Sequence, residues 1–492
     1  MKKYFTLAMF LMAIMLSESA LSQRTAEVIR EEGEPWVAKV NGNQVYSGLD
    51  MILAIQTAIN NLTQNRTEKE VVNVRTSGST GRHSWNGDVK AINLPSNTII
   101  DFHDNTMNVN DDAEDNIIVP IRAIRANNIE VRNMRITGNP RYGIWIFGSE
   151  NVILENIHIS IPQAYNIGLG IRIQERDATW SRNVTMDNIY VEHSKHHGVE
   201  IWNTDGLSIG TVTTQNTGGC GLLLNSTRNA TVQLVDAYRA NHGGGYAGLR
   251  FANNCGPNVV VEKVIANSCG RGVFSVSGSH GITINEVDIY GSTNQGILIE
   301  DTKDFTINGG VVKNSSSQGV RITSRSSTEH HASSNVLVQN LRVYDDRTPM
   351  VQSYGIQETT PRTNNNKILN NDLRNGGRTA DLAFSGPGTI AEGNILTGME
   401  PPTTNIPDLL ADQTIAIYPN PSNGSFTIHS SHLTTHVEFK IEIFDLQGRL
   451  AFSDKKTFTG TIDLNTELNS GVYLIKISNN NDIFSSRLII SR

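Results

Sequence analysis

An arginine, a glutamate and tryptophans recur at matching positions of successive repeats in the middle of this chain. Arg172, Glu200 and Arg250 each follow a glycine by two residues, and Trp202 lies two residues beyond Glu200. If the repeats stack about 4.8 Å apart, these side chains share one outward-facing patch, with Trp145 at its rim. An aromatic ring beside arginines suits a sugar that carries an acidic group. A solvated ladder of salt bridges is the alternative interpretation.

A basic segment at residues 193–197, which reads His-Ser-Lys-His-His, directly precedes the strand that carries Glu200. A neutral histidine can act as a base near neutral pH, and Lys195 can lower its pKa or neutralise a substrate carboxylate. His196 and His197 would point to opposite sides of an extended chain, and no acid or cysteine completes a zinc set. The sequence therefore predicts no metal site here, and a solvated basic loop is the alternative to catalysis.

Two glycine-rich segments, at residues 241–246 and 269–272, border the same surface. Consecutive glycines let the backbone approach a ligand closely, although they also form tight turns. His242, Tyr246 and Arg271 are therefore further candidates for substrate binding. A separate acidic run at residues 110–115 could bind calcium, but it lacks regular ligand spacing and also fits a solvated turn.

A repeat positions these residues. Eight times, at intervals of 23 to 28 residues, a glycine opens a short run of alternating apolar residues. These glycines are Gly143, Gly170, Gly198, Gly221, Gly248, Gly272, Gly296 and Gly319. A second strand phrase, led by an asparagine as at Asn151 and Asn183, interleaves with the first. Alternation of period two within a repeat of this length predicts a parallel β-helix, in which stacked asparagines stabilise the turns.

The composition agrees with a turn-rich, all-β protein. Charged residues make up 18% and aromatic residues 6% of the 492 residues. The net charge of −7 argues against nucleic acid as a partner, since that needs a basic surface. Three cysteines, Cys220, Cys255 and Cys269, are too few for a disulfide scaffold. A Cys255–Cys269 bridge is one option, and isolated buried thiols are the favoured one.

The N-terminus reads as an export signal. Lys2 and Lys3 precede an apolar run over residues 5–16, and small residues near position 22 fit a cleavage site before Gln23. The run is shorter than the roughly 20 residues that span a membrane, and no other stretch of the sequence could span one. Residues 1–22 are therefore predicted to direct the protein out of the cytoplasm.

Four further segments follow the signal. Residues 23–91 comprise an irregular lead, an amphipathic helix at residues 49–62 and a strand, and the helix is predicted to cap the open end of the solenoid. The β-helix is predicted over residues 92–398, a linker over 399–414 and a C-terminal domain over 415–492. The apolar stripe of the helix comprises Leu49, Ile52, Ile55, Ile59 and Leu62.

The C-terminal domain carries three phrases in order: YPNPSNG at residues 418–424, DLQGRL at 445–450 and SGVYLIKI at 470–477. These phrases closely resemble the C-terminal sorting domain of the type IX (Por) secretion system of Bacteroidota. The resemblance implies passage through the outer membrane by the type IX machinery, with the tail then removed or attached to the cell surface. A β-sandwich that binds carbohydrate is the alternative interpretation of this domain.

The cap helix, the coil length and the paired strand phrases resemble the pectin-lyase-like superfamily, which includes polysaccharide lyases, polygalacturonases, epimerases and phage tailspikes. The resemblance implies an all-β chain: a right-handed parallel β-helix solenoid with an N-terminal capping helix, followed by a small β-sandwich. Residues 203–205, Asn-Thr-Asp, match the first piece of the polygalacturonase pattern. The paired aspartates expected one coil later are replaced by residues 218–221, Gly-Gly-Cys-Gly, so the standard polygalacturonase mechanism is not implied.

These observations together predict a secreted enzyme that acts on an anionic polysaccharide, by β-elimination rather than hydrolysis. Arg172 or Arg250 would neutralise the uronate, a histidine or lysine would abstract the C5 proton, and Tyr246 or a histidine would protonate the leaving oxygen. Hydrolysis by the pair Glu200 and Asp205 is one alternative, because that reaction normally needs two carboxyl groups. A non-catalytic surface protein that binds glycans or acts as an adhesin is the other.

Overall fold

A computed structural model describes residues 23–81, 89–111, 117–162, 168–325, 332–359, 362–399, 415–420, 422–429, 437–445, 449–457, 461–479 and 483–490. These divide into two compact units, Met1–Glu400 and Pro401–Arg492. The predicted export signal at residues 1–22 lies outside the described residues, as do residues 400–414 of the predicted linker and residues 112–115 of the acidic run.

The first unit contains one helix, α1 (Met51–Asn60), and 32 strands within its described residues. The strands up to the middle of the solenoid are β1 (Thr25–Ile29), β2 (Trp36–Val40), β3 (Asn43–Gly48), β4 (Glu70–Val74), β5 (Gly78–Ser79), β6 (Lys90–Asn93), β7 (Thr98–Asp101), β8 (Thr106–Val109), β9 (Ile118–Ile124), β10 (Asn127–Gly138), β11 (Tyr142–Phe147), β12 (Glu150–Ser160), β13 (Leu169–Gln174), β14 (Ser181–Glu192), β15 (Val199–Trp202) and β16 (Thr204–Gln215). The remaining strands are β17 (Leu222–Asn225), β18 (Arg228–Tyr238), β19 (Ala247–Ala252), β20 (Val259–Asn267), β21 (Arg271–Ser275), β22 (His280–Tyr290), β23 (Ile297–Glu300), β24 (Lys303–Ile307), β25 (Gly310–Lys313), β26 (Gln318–Thr323), β27 (Leu337–Gln339), β28 (Leu341–Tyr344), β29 (Tyr354–Glu358), β30 (Lys367–Leu369), β31 (Ala380–Ala383) and β32 (Ile390–Glu392).

Two sheets run the length of this unit. Sheet 1 contains β6, β9, β11, β13, β15, β17, β19, β21, β23, β26, β29 and β31, and sheet 2 contains the other twenty strands. Sheet 1 strands pair in parallel with the strand one coil further along the chain, as β11 does with β13 and β13 with β15. Because a sheet 2 strand lies between each such pair in sequence, every repeat is one coil. The predicted parallel β-helix is therefore confirmed.

The repeated glycines let the coils stack closely. A Cβ atom on Gly143 would lie 2.8 Å from the carbonyl oxygen of Gly170, one coil further, and one on Gly221 would lie 2.7 Å from that of Gly248. Real Cβ atoms do not approach backbone oxygens so closely, so a side chain at these positions would push the coils apart. The glycine repeat in the sequence is thus a packing requirement between coils.

The predicted asparagine stack is confirmed. The side-chain amide of Asn183 donates to the Oδ1 atom of Asn151, 3.1 Å away, and that of Asn258 donates to Asn229 at 2.9 Å. All four asparagines have positive φ angles, which asparagine tolerates better than most residues. These stacked asparagines form a ladder, and each of them both turns the chain and links its coil to the next.

The helix α1 packs against the first strands, chiefly β2 and β3, and its apolar face joins the core of the solenoid. It begins two residues later than predicted because Asp50 caps it, with its carboxylate accepting the backbone N–H of Leu53 at 3.1 Å. Leu49 therefore lies outside the helix and is 77% exposed, so it does not belong to the buried stripe.

The three cysteines are free and buried, as expected for isolated thiols. Burial raises the pKa of the Cys220 thiol to about 11, which keeps it protonated at neutral pH.

The second unit contains β33 (Ala416–Tyr418), β34 (Ser425–His429), β35 (Glu438–Asp445), β36 (Leu450–Thr457), β37 (Thr461–Asn465), β38 (Gly471–Ser478) and β39 (Ile483–Ile490). They form a three-stranded and a four-stranded antiparallel sheet. Ile428 of the first sheet and Ile441 of the second belong to one hydrophobic core. None of the described helices is long and apolar enough to cross a membrane.

Replacing a stacked glycine should destabilise the solenoid. A Cβ atom on Gly296 would lie 2.6 Å from the carbonyl oxygen of Gly319, so we expect Gly296→Ala to lower the free energy of unfolding by about 1–3 kcal/mol. Gly309→Ala is the matched control, because its nearest neighbour would be 3.5 Å away, and its effect should stay within about 0.5 kcal/mol. Denaturant unfolding measures both variants, and equal effects would contradict this account of the glycine repeat.

Candidate active site

The register of sheet 1 brings the predicted outward column together. Trp145 of β11 pairs with Arg172 of β13, which pairs with Glu200 of β15. Glu200 in turn pairs with Leu223 of β17, and Leu223 pairs with Arg250 of β19. The order of residues in this column is therefore confirmed, because the period-two alternation and the coil interval together fix the register.

An open cavity of about 230 Å³ lies at this column. It is lined by Arg141, Tyr142, Gly168, Leu169, Arg172, His196, His197 and Glu200. Four of the predicted site residues thus meet in one place: Arg172 and Glu200 from the column, and both histidines from the segment 193–197. Lys195 of that segment is exposed and does not line the cavity.

Glu200 supplies a buried carboxylate with fixed partners. Its side chain is only 6% exposed, and the Arg172 Nη1 atom lies 3.3 Å from its Oε2 atom. The indole N–H of Trp202 donates to its Oε1 atom over 2.6 Å. A buried charge is stable only when it is paired and hydrogen-bonded, and both conditions hold for Glu200. The indole N–H of Trp202 is therefore occupied by its hydrogen bond to Glu200.

His197 is held as a neutral ring whose Nδ1 atom accepts a hydrogen bond. Its Nδ1 atom accepts the backbone N–H of Cys220 at 2.8 Å, which leaves the ring proton on Nε2, 3.9 Å from the Oε1 atom of Glu200. Burial lowers the pKa of His197 to about 4, although the nearby Glu200 carboxylate raises it. The Tyr246 ring covers His197 edge-on, with 5.4 Å between the ring centroids. A ring with this tautomer is poorly suited to act as a base toward the cavity.

His196 is better placed to accept a proton. It lines the same cavity and keeps much of its surface in solvent. Partial desolvation of the ring lowers its pKa, and the charges of Arg141 and Lys195 lower it further. The ring is therefore neutral at neutral pH. Among the described residues, no carboxylate lies within ion-pairing distance of Arg141, so the cavity combines two guanidinium groups with one carboxylate and favours an anion.

Around Arg250, the outward face of sheet 1 carries an apolar cluster. A buried cluster on this face comprises Cys220, Leu223, Ala247, Ala252, Phe274, Val276 and Leu298. The guanidinium carbons of Arg250 and Arg271 lie 5.0 and 4.7 Å from the Phe274 ring centroid, and that of Arg250 lies 4.9 Å from the Tyr246 ring. The two arginines thus cover the apolar cluster, and Arg271 also donates to Gln295 at 2.7 Å.

The structure does not bring Asp205 to the cavity. Asp205 lies on β16 of sheet 2, where its carboxylate accepts from Arg228 at 2.8 Å and from Asn229 at 2.6 Å. These two hydrogen bonds lower the pKa of the Asp205 carboxyl group. Asp205 pairs in register with Arg182 and Arg228, and its carboxylate accepts the amide of the ladder residue Asn229, so its partners link coils. His242 is also away from the cavity, on an exposed turn where its Nδ1 atom contacts the carbonyl oxygen of Ser268 at 2.6 Å.

Four cavity residues, Arg141, Tyr142, Gly168 and Leu169, were not predicted. Tyr142 stacks on Trp145, with ring centroids 4.3 Å apart and an angle of 24° between the rings, so two aromatic residues form the rim. Tyr142 and Leu169 each directly precede the glycine of a repeat, as His197 does. That shared position is a sequence signal from which they could have been found.

No group of three or more metal-binding side chains occurs in the parts of the chain that the structure describes. The calcium hypothesis rests on the acidic run at residues 110–115, of which residues 112–115 lie outside the described residues.

Comparison with known proteins identifies two families. The right-handed β-helix region matches residues 119–289 and 197–373, and the secretion system C-terminal sorting domain matches residues 416–491. Comparison with curated proteins finds no match.

Comparison with solved structures finds proteins that are similar to this chain. The A-module of a mannuronan C-5 epimerase from Azotobacter vinelandii is similar at 16% identity and a TM-score of 0.56, over 71% of this chain and 96% of that one. A second such A-module from the same organism has 14% identity and a TM-score of 0.42, over 72% and 94% of the two chains. A tailspike protein of the Acinetobacter baumannii bacteriophage Fri1, a capsular polysaccharide depolymerase, has 10% identity and a TM-score of 0.32, over 89% and 76%. At 16% identity, the similarity to the first of these A-modules shows a shared fold and nothing more.

The burial of neutral His197 should make the protein less stable in acid. The unfolded chain binds a proton near the ordinary histidine pKa of 6.5, whereas the folded protein does so only near about 4. The free energy of unfolding should therefore fall as the pH falls from 6.5 to 4, by about 3 kcal/mol from this residue alone.

Denaturant unfolding across this pH range tests the expectation, with His197→Gln as the variant that cannot titrate. We expect a shallower loss of stability in acid for this variant than for the wild type. His242→Gln, on an exposed turn, is the control and should follow the wild type. Identical pH profiles for wild type and His197→Gln would show that His197 is not held neutral by burial.

Proposed function

This chain belongs to the right-handed β-helix family and carries a type IX sorting domain that directs it to the outside of the cell, and on that basis we propose that it cleaves an anionic polysaccharide by β-elimination. One observation carries the proposal: Arg141 and Arg172 line the same cavity as the neutral His196. A cationic group for the uronate carboxylate and a neutral base for the adjacent carbon acid are the two requirements of this reaction.

Arg141 is the proposed partner of the substrate carboxylate. Arg172 already faces Glu200 at 3.3 Å, whereas no described carboxylate pairs with Arg141. A guanidinium group binds a carboxylate through two parallel hydrogen bonds, which fixes the position of the sugar. The same contact stabilises the negative charge that develops on the carboxylate when the C5 proton leaves.

The proton steps follow from the protonation states. His196 takes the C5 proton, the electron pair forms the new C4–C5 double bond, and the C4–O bond breaks. Tyr142 lines the cavity and is the phenol proposed to protonate the leaving oxygen. Tyr246, which the sequence suggested for that role, contacts His197 and Arg250 instead. His197 accepts the backbone N–H of Cys220 at Nδ1, and this hydrogen bond fixes the ring at that side of the cavity.

Hydrolysis is the weaker candidate. It normally requires two carboxyl groups on either side of the scissile bond. Among the described residues that line the cavity, Glu200 is the single carboxylate, and Asp205 is bound to Arg228 and Asn229 elsewhere.

Epimerisation at C5 shares its first step with β-elimination, since both begin with loss of the C5 proton. The similar A-module from Azotobacter vinelandii is named for that reaction on mannuronan. We therefore include a mannuronan polymer among the test substrates and measure inversion at C5 as well as cleavage.

The test uses the secreted chain from Gln23 onward and a panel of uronate and neutral polysaccharides. Cleavage by elimination raises both the ultraviolet absorbance of the unsaturated uronate and the number of reducing ends. Reducing ends alone would indicate hydrolysis, and exchange of the C5 hydrogen with solvent deuterium without cleavage would indicate epimerisation. No turnover on any polymer would favour a protein that only binds glycans.

Substitution of the proposed base should separate catalysis from binding. We expect His196→Gln to lower kcat on the uronate polymer by about 10²- to 10⁴-fold with little change in KM, because it removes only the proton acceptor. Arg141→Ala should also raise KM, because it removes the partner of the carboxylate. His280→Gln, a histidine of β22 in sheet 2, is the control and should retain wild-type kinetics. Wild-type activity in His196→Gln would exclude His196 as the base.

A further inference from the structure

The outward column of sheet 1 carries arginines on both sides of the cavity. Arg122 of β9 pairs in register with Trp145 of β11, which pairs with Arg172 of β13. In the other direction, Arg250 of β19 lies three coils beyond Arg172, and Arg321 of β26 lies three coils beyond Arg250. We call Arg122, Arg172, Arg250 and Arg321 the arginine column.

The spacing of the arginine column places the cavity within it rather than at one end. Since neighbouring coils lie about 4.8 Å apart, Arg122 is roughly 10 Å from Arg172 along the solenoid axis. Arg250 and Arg321 lie roughly 14 and 29 Å from Arg172 in the opposite direction, so the column extends over roughly 38 Å. A ligand that contacts all four arginines must therefore be a long chain that crosses the cavity.

The face that carries the arginine column has an excess of positive charge. Glu200 and Glu300 are the only carboxylates on the described sheet 1 strands from β9 to β26, and each lies close to an arginine. Glu200 is 3.3 Å from Arg172, and Glu300 is 3.4 Å from a neighbouring guanidinium group. No carboxylate of the described residues lies within ion-pairing distance of the other three members of the column. This face thus contrasts with the whole chain, whose net charge is −7.

The contacts of the column residues leave their charge available to a ligand. Arg321 forms no hydrogen bond with the described residues, and its Nε atom is buried without a partner, as are those of Arg172 and Arg250. Arg122 donates from Nε to the uncharged side chain of Asn93 at 2.7 Å. Arg250 lies over two aromatic rings, which orient its guanidinium group without neutralising it. The terminal nitrogens of these arginines can therefore bind anionic groups.

We propose that the arginine column binds one acidic polysaccharide chain along the solenoid axis, on both sides of the cavity, so that cleavage takes place within the chain rather than at its end. A guanidinium group pairs with a carboxylate through two hydrogen bonds, and a uronate polymer offers a carboxylate on each sugar. Arginines on different coils can therefore hold different sugars of the same chain. The site of cleavage, though not the binding, rests on the proposed elimination reaction.

Calorimetric titration of the secreted chain in the His196→Gln background measures binding without turnover. The probes are oligomers of mannuronate and of galacturonate of about ten sugars, which reach along the column, and of about three sugars, which do not. For at least one of the two sugars, we expect Arg321→Gln and Arg122→Gln each to lower the affinity for the long oligomer about tenfold. The affinity for the short oligomer should stay within about threefold in Arg321→Gln.

Arg182→Gln is the matched control, because it removes the same charge from an exposed position on β14 of sheet 2. Its affinity for the long oligomer should stay within about twofold of the background. Circular dichroism melting of each variant separates a loss of binding from a loss of the fold.

Four binding results would overturn the proposal. They are an unchanged affinity of Arg321→Gln for the long oligomer, an equal loss for the short one, an equal loss in Arg182→Gln, and equally tight, Arg321-dependent binding of a single-stranded DNA of similar length. The last result would show a general site for polyanions rather than one for polysaccharide.

The mode of cleavage is measured on a long uronate polymer with His196 restored. We expect the viscosity to fall while few reducing ends have formed, because cuts occur inside the chain. Steady release of one- or two-sugar products from the start would contradict internal cleavage. Arginine-dependent binding without any turnover would exclude the elimination reaction and leave the binding column, whereas turnover without arginine-dependent binding would exclude the column alone.

Discussion

Close stacking of successive coils is the constraint on which the rest of this structure depends. At the repeated glycines, a Cβ atom would meet the carbonyl oxygen of the glycine one coil further, as at Gly198, where the separation from the Gly221 oxygen would be 2.9 Å. The contact leaves no room for a side chain, so each coil must place its glycine at the same point. Once the glycines are aligned, every residue that follows them is aligned too.

Because of that alignment, residues one repeat apart in the sequence become neighbours on the surface. A residue two positions after its glycine lies beside the residue two positions after the next glycine, and so a polar column arises from positions 23 to 28 residues apart. The same logic builds the asparagine ladders, in which one amide donates to the next. Asp205 fits into such a ladder because a carboxylate accepts the amide hydrogens of Asn229 as an asparagine oxygen would. Position in the coil, rather than residue type alone, thus decides whether a carboxylate belongs to the scaffold or faces a cavity.

Most of the fold and the order of the outward column could be predicted from the sequence for this reason, since both depend only on alternation and interval. The first residue of α1 could not be predicted in this way, because it depends on the N-terminal cap formed by Asp50. The exposure of outward residues also could not be predicted. Alternation indicates the side of the sheet, but Phe274 is only 9% exposed because Arg250 of the neighbouring strand β19 and Arg271 of its own strand β21 lie over it.

The tautomer and the burial of His197 also could not be predicted, because both depend on contacts with residues of other coils. Its tautomer follows from a backbone N–H of Cys220, and its burial involves the Tyr246 ring, which belongs to a turn 49 residues further along the chain. Turns between coils vary in length and sequence, so no periodic signal describes them. The cavity residues that sequence reasoning missed, Arg141 and Tyr142, come from such a turn and from the residue that begins the next strand.

The geometry of the solenoid also suits a linear polymer, because its outward side chains form linear columns. A polysaccharide is itself a linear repeat, and the coil spacing of about 4.8 Å lets a column of side chains advance nearly in step with successive sugars. The chemistry of a column then selects the polymer. The two guanidinium groups at the cavity of sheet 1, those of Arg141 and Arg172, favour a chain that carries negative charge. A single stacking constraint thus leaves the chemistry of each column free to vary, because outward side chains differ from coil to coil while the glycines hold the register.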